Sequence, residues 1–144
     1  MTGRDEVLPV MLFDDDEAGR KMARDMENGL YQGAKDRILR TGKYLSFADS
    51  EIEDLFPSDF LAGVVDRWER RADKPFVDEV EEGRPIVPQI EDWALAQRVT
   101  LEERWKVDLA RAAKQRALTL GVEKFDEVTL ERWTQLFKDF ERAN

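Results

Sequence analysis

The apolar residues of this chain fall into short runs, and their spacing changes from one stretch to the next. The first run, VLPVMLF, is unbroken and stops at Asp14, Asp15 and Asp16. Continuous hydrophobicity without polar alternation predicts a strand over Leu8–Phe13, covered on both faces. Behind the aspartates, Glu17 to Asn28 reads as a helix whose apolar positions include Ala18, Met22 and Met26. Gly29 and Gly33 bracket Leu30 and Tyr31 and mark a helix stop and a turn. Arg37 to Arg40 follows as a second strand, with Ile38 and Leu39 its apolar part and Gly42 its end. Residues 43–50 carry no clear pattern, and neither do the polar residues 1–6.

The second half reads as helices. In EIEDLFP, residues 51–57, Ile52, Leu55 and Phe56 are expected to anchor the segment while Glu51, Glu53 and Asp54 face outward. Pro57 with Ser58 or Asp59 starts a helix through about Arg71, with Phe60, Leu61, Val64, Val65 and Trp68 as its stripe. Residues 72–88, holding Pro75, Gly83, Pro85 and Pro88, form a connector in which Phe76, Val77 and Val80 pack or form a short strand. Pro88 opens a helix carrying Ile90, Trp93, Ala94 and Gln97. Another is expected from Thr100, capped with Glu103, with Leu101, Trp105, Leu109 and Ala112 on one side and Lys106 and Lys114 off that stripe. After the break at Gly121, Glu127 to Arg142 predicts a last helix with Leu130, Trp133, Phe137 and Phe140.

Composition narrows the chemistry. A length of 144 residues suffices for one domain with a real core, and 42% hydrophobic with 38% charged residues describes a soluble, folded chain. Cysteine and histidine are both absent, which removes disulfides, thiolate sites and imidazole chemistry. The net charge of −9 argues against a general nucleic-acid coat, though not against an enzyme that meets phosphates through bound metal. The sequence shows neither a membrane-length apolar run nor a signal peptide, so a cytoplasmic protein without membrane partners is expected. That leaves carboxylates. On a strand–turn–helix, Asp14 and Asp16 stand at the C-terminal edge of a sheet, where open α/β folds bind ligands, and carboxylates so placed suit hard divalent cations. The same residues also suit helix capping and the helix dipole. The four tryptophans lie on or beside apolar helix faces and read as core residues.

Three segments together resemble a known family. LFDDDEAG is similar to the Asp-x-Asp-x-x-Gly signature of Toprim domains, found in topoisomerases, primases and the OLD (overcoming lysogenisation defect) nucleases. EIEDLFP, about 35 residues further on, resembles the corresponding segment of OLD-type, ATPase-linked nucleases, and WKVDLA at Trp105–Ala110 resembles their lysine-bearing helix. The resemblance spans about Leu8 to Leu118. It implies an α/β fold, a partial Toprim-like (Rossmann-like) sheet with flanking helices over residues 1–72, and a helical C-terminal part over 73–144. It further implies a DNA endonuclease dependent on Mg²⁺ or Mn²⁺, of the kind that serves phage defence. Asp14 and Asp16 match the metal-binding aspartates, and Glu53 the downstream acidic ligand, with Glu51 or Asp54 as helpers. Lys106 matches the lysine that steadies the charged phosphate, and Gly19 the glycine that brings helix and strand close.

Two parts of the family pattern have no counterpart. A Toprim domain opens with a strand and a glutamate well before the Asp-x-Asp strand, whereas Glu6 stands next to it. No Gly-rich Lys-Ser/Thr phosphate loop occurs. The expectation is therefore the C-terminal part of an OLD-like nuclease, weak or inactive by itself, with DNA, the missing N-terminal or ATPase half and a second copy of the chain as partners. The competing expectation is a binding or scaffolding domain that keeps the fold without turnover.

Overall fold

The computed structural model of the chain describes residues 8–143, so Val7 and Glu6 lie outside the described residues. The fold is a helix-rich α/β arrangement. β1 (Met11–Phe13) and β2 (Ile38–Arg40) pair in parallel, with Met11 opposite Ile38, Leu12 opposite Leu39 and Phe13 opposite Arg40. Parallel strands need a crossover, which α1 (Glu17–Asn28) supplies. β1 is shorter than the expected Leu8–Phe13 for a local reason. Pro9 has no N–H to give a ladder, and the carbonyls of Leu8 and Pro9 are taken by the Arg37 guanidinium (3.0 Å) and the Tyr31 hydroxyl (2.7 Å). Among the described residues the sheet has these two strands, so the expected central place of residues 8–13 is corrected: each strand has an edge without a strand partner.

α1 occupies the expected span but turns a different face inward. Gly19 and Ala23 are its buried residues, while Met22 is 55% exposed. Small side chains let the helix lie against the end of the strand: a Cβ at Gly19 would overlap the Asp14 carbonyl. α2 (Ser58–Trp68) buries Leu61, Ala62, Val64 and Val65, as its stripe predicts. It stops at Trp68 instead of Arg71, because Glu69 is extended and its carboxylate folds onto the Arg71 guanidinium (2.6 and 2.7 Å).

α3 (Ile86–Ala96) starts two residues before Pro88. Ile86 and Val87 are buried and draw the first turn inward, and Pro88 costs nothing there because the first N–H groups of a helix have no partner in the helix. At the other end Arg98 takes the left-handed conformation (φ 58°), with Val99 N–H bonding to Ala94 O and Arg98 N–H to Leu95 O. This is a Schellman exit built without glycine. It leads the chain through 99–104 before α4 (Trp105–Leu120) begins, so the expected Thr100–Glu103 cap does not form and Thr100 is exposed. α5 (Glu127–Ala143) is capped by Asp126, whose Oδ1 accepts from Thr129 N at 3.0 Å. It buries Thr129, Leu136 and Asp139, while Phe137, expected on its apolar face, is 62% exposed.

Two apolar clusters result. The larger joins α2, α3, α4 and Phe76 of the connector, with Trp93 and Trp105 among its members. Val77, expected to pack beside Phe76, is exposed. The smaller sets Leu39 and Leu55 against Leu136, with Val10, Leu12 and Phe140 around them, so α5 packs on the sheet. Phe56, Phe60, Phe125 and Trp133 form a ring-to-ring chain between the two, with centroids 4.8 to 5.6 Å apart. No helix among the described residues is long and apolar enough to cross a membrane.

Candidate metal centre

β1 ends at Phe13, and the chain turns through Asp14, Asp15 and Asp16 into α1. Each aspartate is fixed differently. Asp16 Oδ1 caps α1 by accepting from Gly19 N at 2.7 Å, as the capping alternative expects. Asp15 gives its backbone N–H to Ser50 O (2.8 Å) and Thr41 Oγ1 (3.1 Å), and Arg20 lies 3.6 Å from its carboxylate. Asp14 Oδ1 accepts from Ile52 N at 2.7 Å. Thr41 and Ser50 are fully buried, with their hydroxyls 2.9 Å apart. These bonds lay the segment around residues 50–52 across the C-terminal ends of both strands.

The segment then turns through a 3-10 helix, Ile52–Leu55. Glu51, just before it, reaches the aspartates: one carboxylate oxygen from each of Asp14, Asp16 and Glu51 lies within 4.8 Å of the others. Lys106, in the first turn of α4, sets its Nζ 2.9 Å from Glu51 Oε1. Four of the residues singled out from the sequence therefore meet at one place, although 92 positions separate Asp14 from Lys106.

Glu53 and Asp54 stand otherwise. Glu53, matched to the principal downstream ligand, is half-buried beside the three-carboxylate group and not one of its members. Asp54 does not face outward: it is 6% exposed and accepts from Glu51 N (2.8 Å) and Ile86 N (2.7 Å), tying the Glu51 turn to the start of α3. Ile52, expected as an anchor, is 47% exposed, and its contribution is its backbone N–H. The supporting pair Thr41 and Ser50 left no mark in the sequence, because a buried hydroxyl pair has no characteristic spacing. Asp54 could have been found from Glu51-x-x-Asp54, a spacing that suits a cap at a helical turn.

The electrostatics suit a cation. Burial pushes the Asp14 carboxyl up, and Asp16 adds to the rise, against the Ile52 hydrogen bond and Lys106. Burial likewise raises Glu53, with Glu51 and Asp14 adding to it against its own backbone hydrogen bond and Lys106. Partial burial pulls Lys106 down, but the hydrogen bond and charge of Glu51, with Glu53 and Glu91, outweigh it and leave the ammonium raised. Crowded carboxylates that resist ionisation are relieved by bound positive charge. The donor set is all carboxylate oxygen, the chemistry of hard divalent cations. Ligand oxygens of an octahedral shell with 2.0–2.1 Å bonds lie roughly 3–4 Å apart, so small side-chain rotations would close the three around one ion.

No family model matches the chain, and the search of curated proteins and of solved structures likewise found no match.

Proposed function

We propose that this chain is a Toprim-like nuclease unit of the OLD type that hydrolyses DNA phosphodiesters with Mg²⁺ or Mn²⁺. The observation that carries the reading is the convergence of Asp14, Asp16 and Glu51 at the C-terminal end of β1 with Lys106 beside them. Asp14, Asp16 and Glu51 would hold the cation, and Glu53, whose carboxyl feels the charges of Glu51 and Asp14, would serve a second position. Bound cations of this class activate water and stabilise the leaving oxygen in phosphodiester hydrolysis. Lys106 supplies a positive charge where negative charge grows on the phosphate. Asp54 holds the Glu51 turn. The strand edges that have no strand partner among the described residues offer a place for an ATPase-bearing half or a second copy.

A second reading has its own observation. Asp14, Asp16 and Glu51 each already have a protein partner, namely Ile52 N–H, Gly19 N–H and the Lys106 ammonium. A network closed in this way stands without metal, as a binding or scaffolding domain would require.

The test is nicking of supercoiled plasmid by concentrated protein over long incubation with Mn²⁺, then Mg²⁺. Slow cutting that stops in EDTA and is lost in Asp16→Asn and Lys106→Gln is the expected result. Wild-type nicking no greater than that of Asp16→Asn would leave the scaffold.

A further inference from the structure

The charge of this protein is unevenly distributed. Over the whole chain 32 acidic residues outnumber 23 basic ones. Helix α4 runs the other way: Lys106, Arg111, Lys114 and Arg116 stand against Asp108 alone, four minus one, or +3. By the same count α1 is neutral (three against three), α2 is −1 (one minus two), α3 is −2 (none against two) and α5 is −1 (three minus four). α4 is thus the net basic α-helix among the described residues.

Three of its four cations are also free, Lys106 being held by Glu51. Arg111 and Lys114 are exposed, and neither they nor Arg116 form an ion pair among the described residues. α5 likewise carries three cations without an ion pair among the described residues, Arg132, Lys138 and Arg142, but sets four carboxylates against them, so what distinguishes α4 is its net positive charge. The buried side of α4 is set by Trp105, Leu109 and Ala113. At 100° per residue, Arg111 and Lys114 point away from that side, and Val107 and Leu118 beside them are exposed as well. In the groove between α2 and α4, a cavity of about 390 Å³, Arg67 and Arg116 flank Trp68 and Gln115. Arg67 too has no ion pair among the described residues.

The position of the helix gives these charges a direction. Its first turn is pinned at the carboxylate group through Lys106 and Glu51. From Lys106 to Lys114 the helix rises about 12 Å, so Lys114, with Arg111 on the same outward side, stands away from the centre along the helix, while Arg116 faces the groove with α2.

We infer that the outward face of α4, with Arg111 and Lys114 and the neighbouring Arg67–Arg116 groove, binds the phosphate backbone of DNA and guides it to the carboxylate centre. Phosphates are the polyanion whose charge this face complements and the remaining acidic surface repels, and each lysine or arginine on a phosphate releases condensed counterions. The net −9 then confines the backbone to one path. This inference rests on the nuclease reading for its direction, but its test needs neither metal nor turnover.

The experiment measures binding of the whole chain to a fluorescently labelled DNA duplex in EDTA, by anisotropy over a series of salt concentrations. In Arg111→Glu with Lys114→Glu, affinity should fall about tenfold or more, and the slope of log K against log salt should flatten by about 2. Arg24→Glu with Lys138→Glu imposes the same charge change on exposed residues of α1 and α5 and should alter affinity less than about threefold. Arg67→Gln with Arg116→Gln, which reverses no charge, should weaken binding by an intermediate amount. Unchanged circular dichroism shows that each variant is folded. Equal losses in the two reversal pairs would reduce the effect to net charge and overturn the inference. So would wild-type protein that does not bind at low salt. Because EDTA removes the cation, failure here leaves the nicking result untouched, and failed nicking leaves this binding untouched.

Discussion

Between α2 and α4 the chain buries Leu61, Val65, Ile90 and Leu109 almost completely, side chain against side chain. Around the β1–α1 turn the fully buried residues are Thr41 and Ser50, with Asp54 nearly so, and specific hydrogen bonds hold them. No buried side-chain polar atom among the described residues lacks a partner, so the second region is as completely satisfied as the first, by other means. The forces differ in tolerance. Apolar burial is non-directional and accepts rearrangement, whereas a carboxylate between two backbone N–H groups accepts one geometry. A site that has to hold oxygens within a few ångströms of one another belongs in the second kind of region. The helical core can then be read as the support from which α3, through Ile86 N–H, and α4, through Lys106, reach the site.

The largest effect that would separate the regions comes from the core. Leu61→Ala should lower stability by about 2–5 kcal/mol in urea unfolding, because Leu61 is 1% exposed and its loss leaves a cavity. The protein that remains folded should bind Mn²⁺ as the wild type does. Weakened Mn²⁺ binding by folded Leu61→Ala would show that the two regions are not separable.

Asp54→Ala comes next and should act on both regions. It strands the N–H groups of Glu51 and Ile86, at a cost of about 1–3 kcal/mol. It also frees the turn that aims Glu51, so Mn²⁺ binding should weaken even though Asp54 is not one of the three converging carboxylates. A stability loss with Mn²⁺ affinity intact would make Asp54 a staple of the fold alone.

The smallest effect lies where α5 meets the sheet. The Lys43 hydrogen bond, helped by Tyr44 and Gln135, holds the Asp139 carboxyl below the usual aspartate range despite its burial. A folded pKa below the unfolded one means that this contribution is present at neutral pH. It fades as pH falls below the ordinary aspartate value of about 3.9. Asp139→Asn should cost about 1 kcal/mol at pH 7 and should flatten the acid limb of a stability–pH curve. An unchanged acid limb would assign the acid sensitivity elsewhere.

Legibility in the sequence follows the same division. α2 and α5 could be read because large apolar residues at helical spacing mark them, and the polar turn after β1 because a strand cannot continue through three aspartates. The inward face of α1 was not legible: Gly19 and Ala23 carry almost no hydrophobic signal, yet they allow the closest approach. The start of α4 was hidden because Thr100-x-x-Glu103 is a valid cap pattern, and only the left-handed Arg98 shows that the chain is still leaving α3 there. At the site, the sequence itself points to Asp14, Asp16, Glu51 and Lys106. The resemblance ranks Glu53 ahead of Glu51 because it supplies only an order along the chain. Which of two nearby carboxylates reaches the strand ends is set by how residues 50–52 bond to Asp14 and Asp15, a tertiary fact with no local signature.

The central claim is that Asp14, Asp16 and Glu51 form one cation site, and calorimetric titration with Mn²⁺ tests it most directly. Asp16→Asn keeps an oxygen to cap α1 and Glu51→Gln keeps one for Lys106, so both remove charge while preserving the hydrogen bonds. Wild-type protein should show saturable binding that weakens about tenfold or more in each of these variants, and less in Glu53→Gln. Binding in Asp16→Asn and Glu51→Gln that matches the wild type would contradict the account and reduce both residues to a helix cap and a surface ion pair.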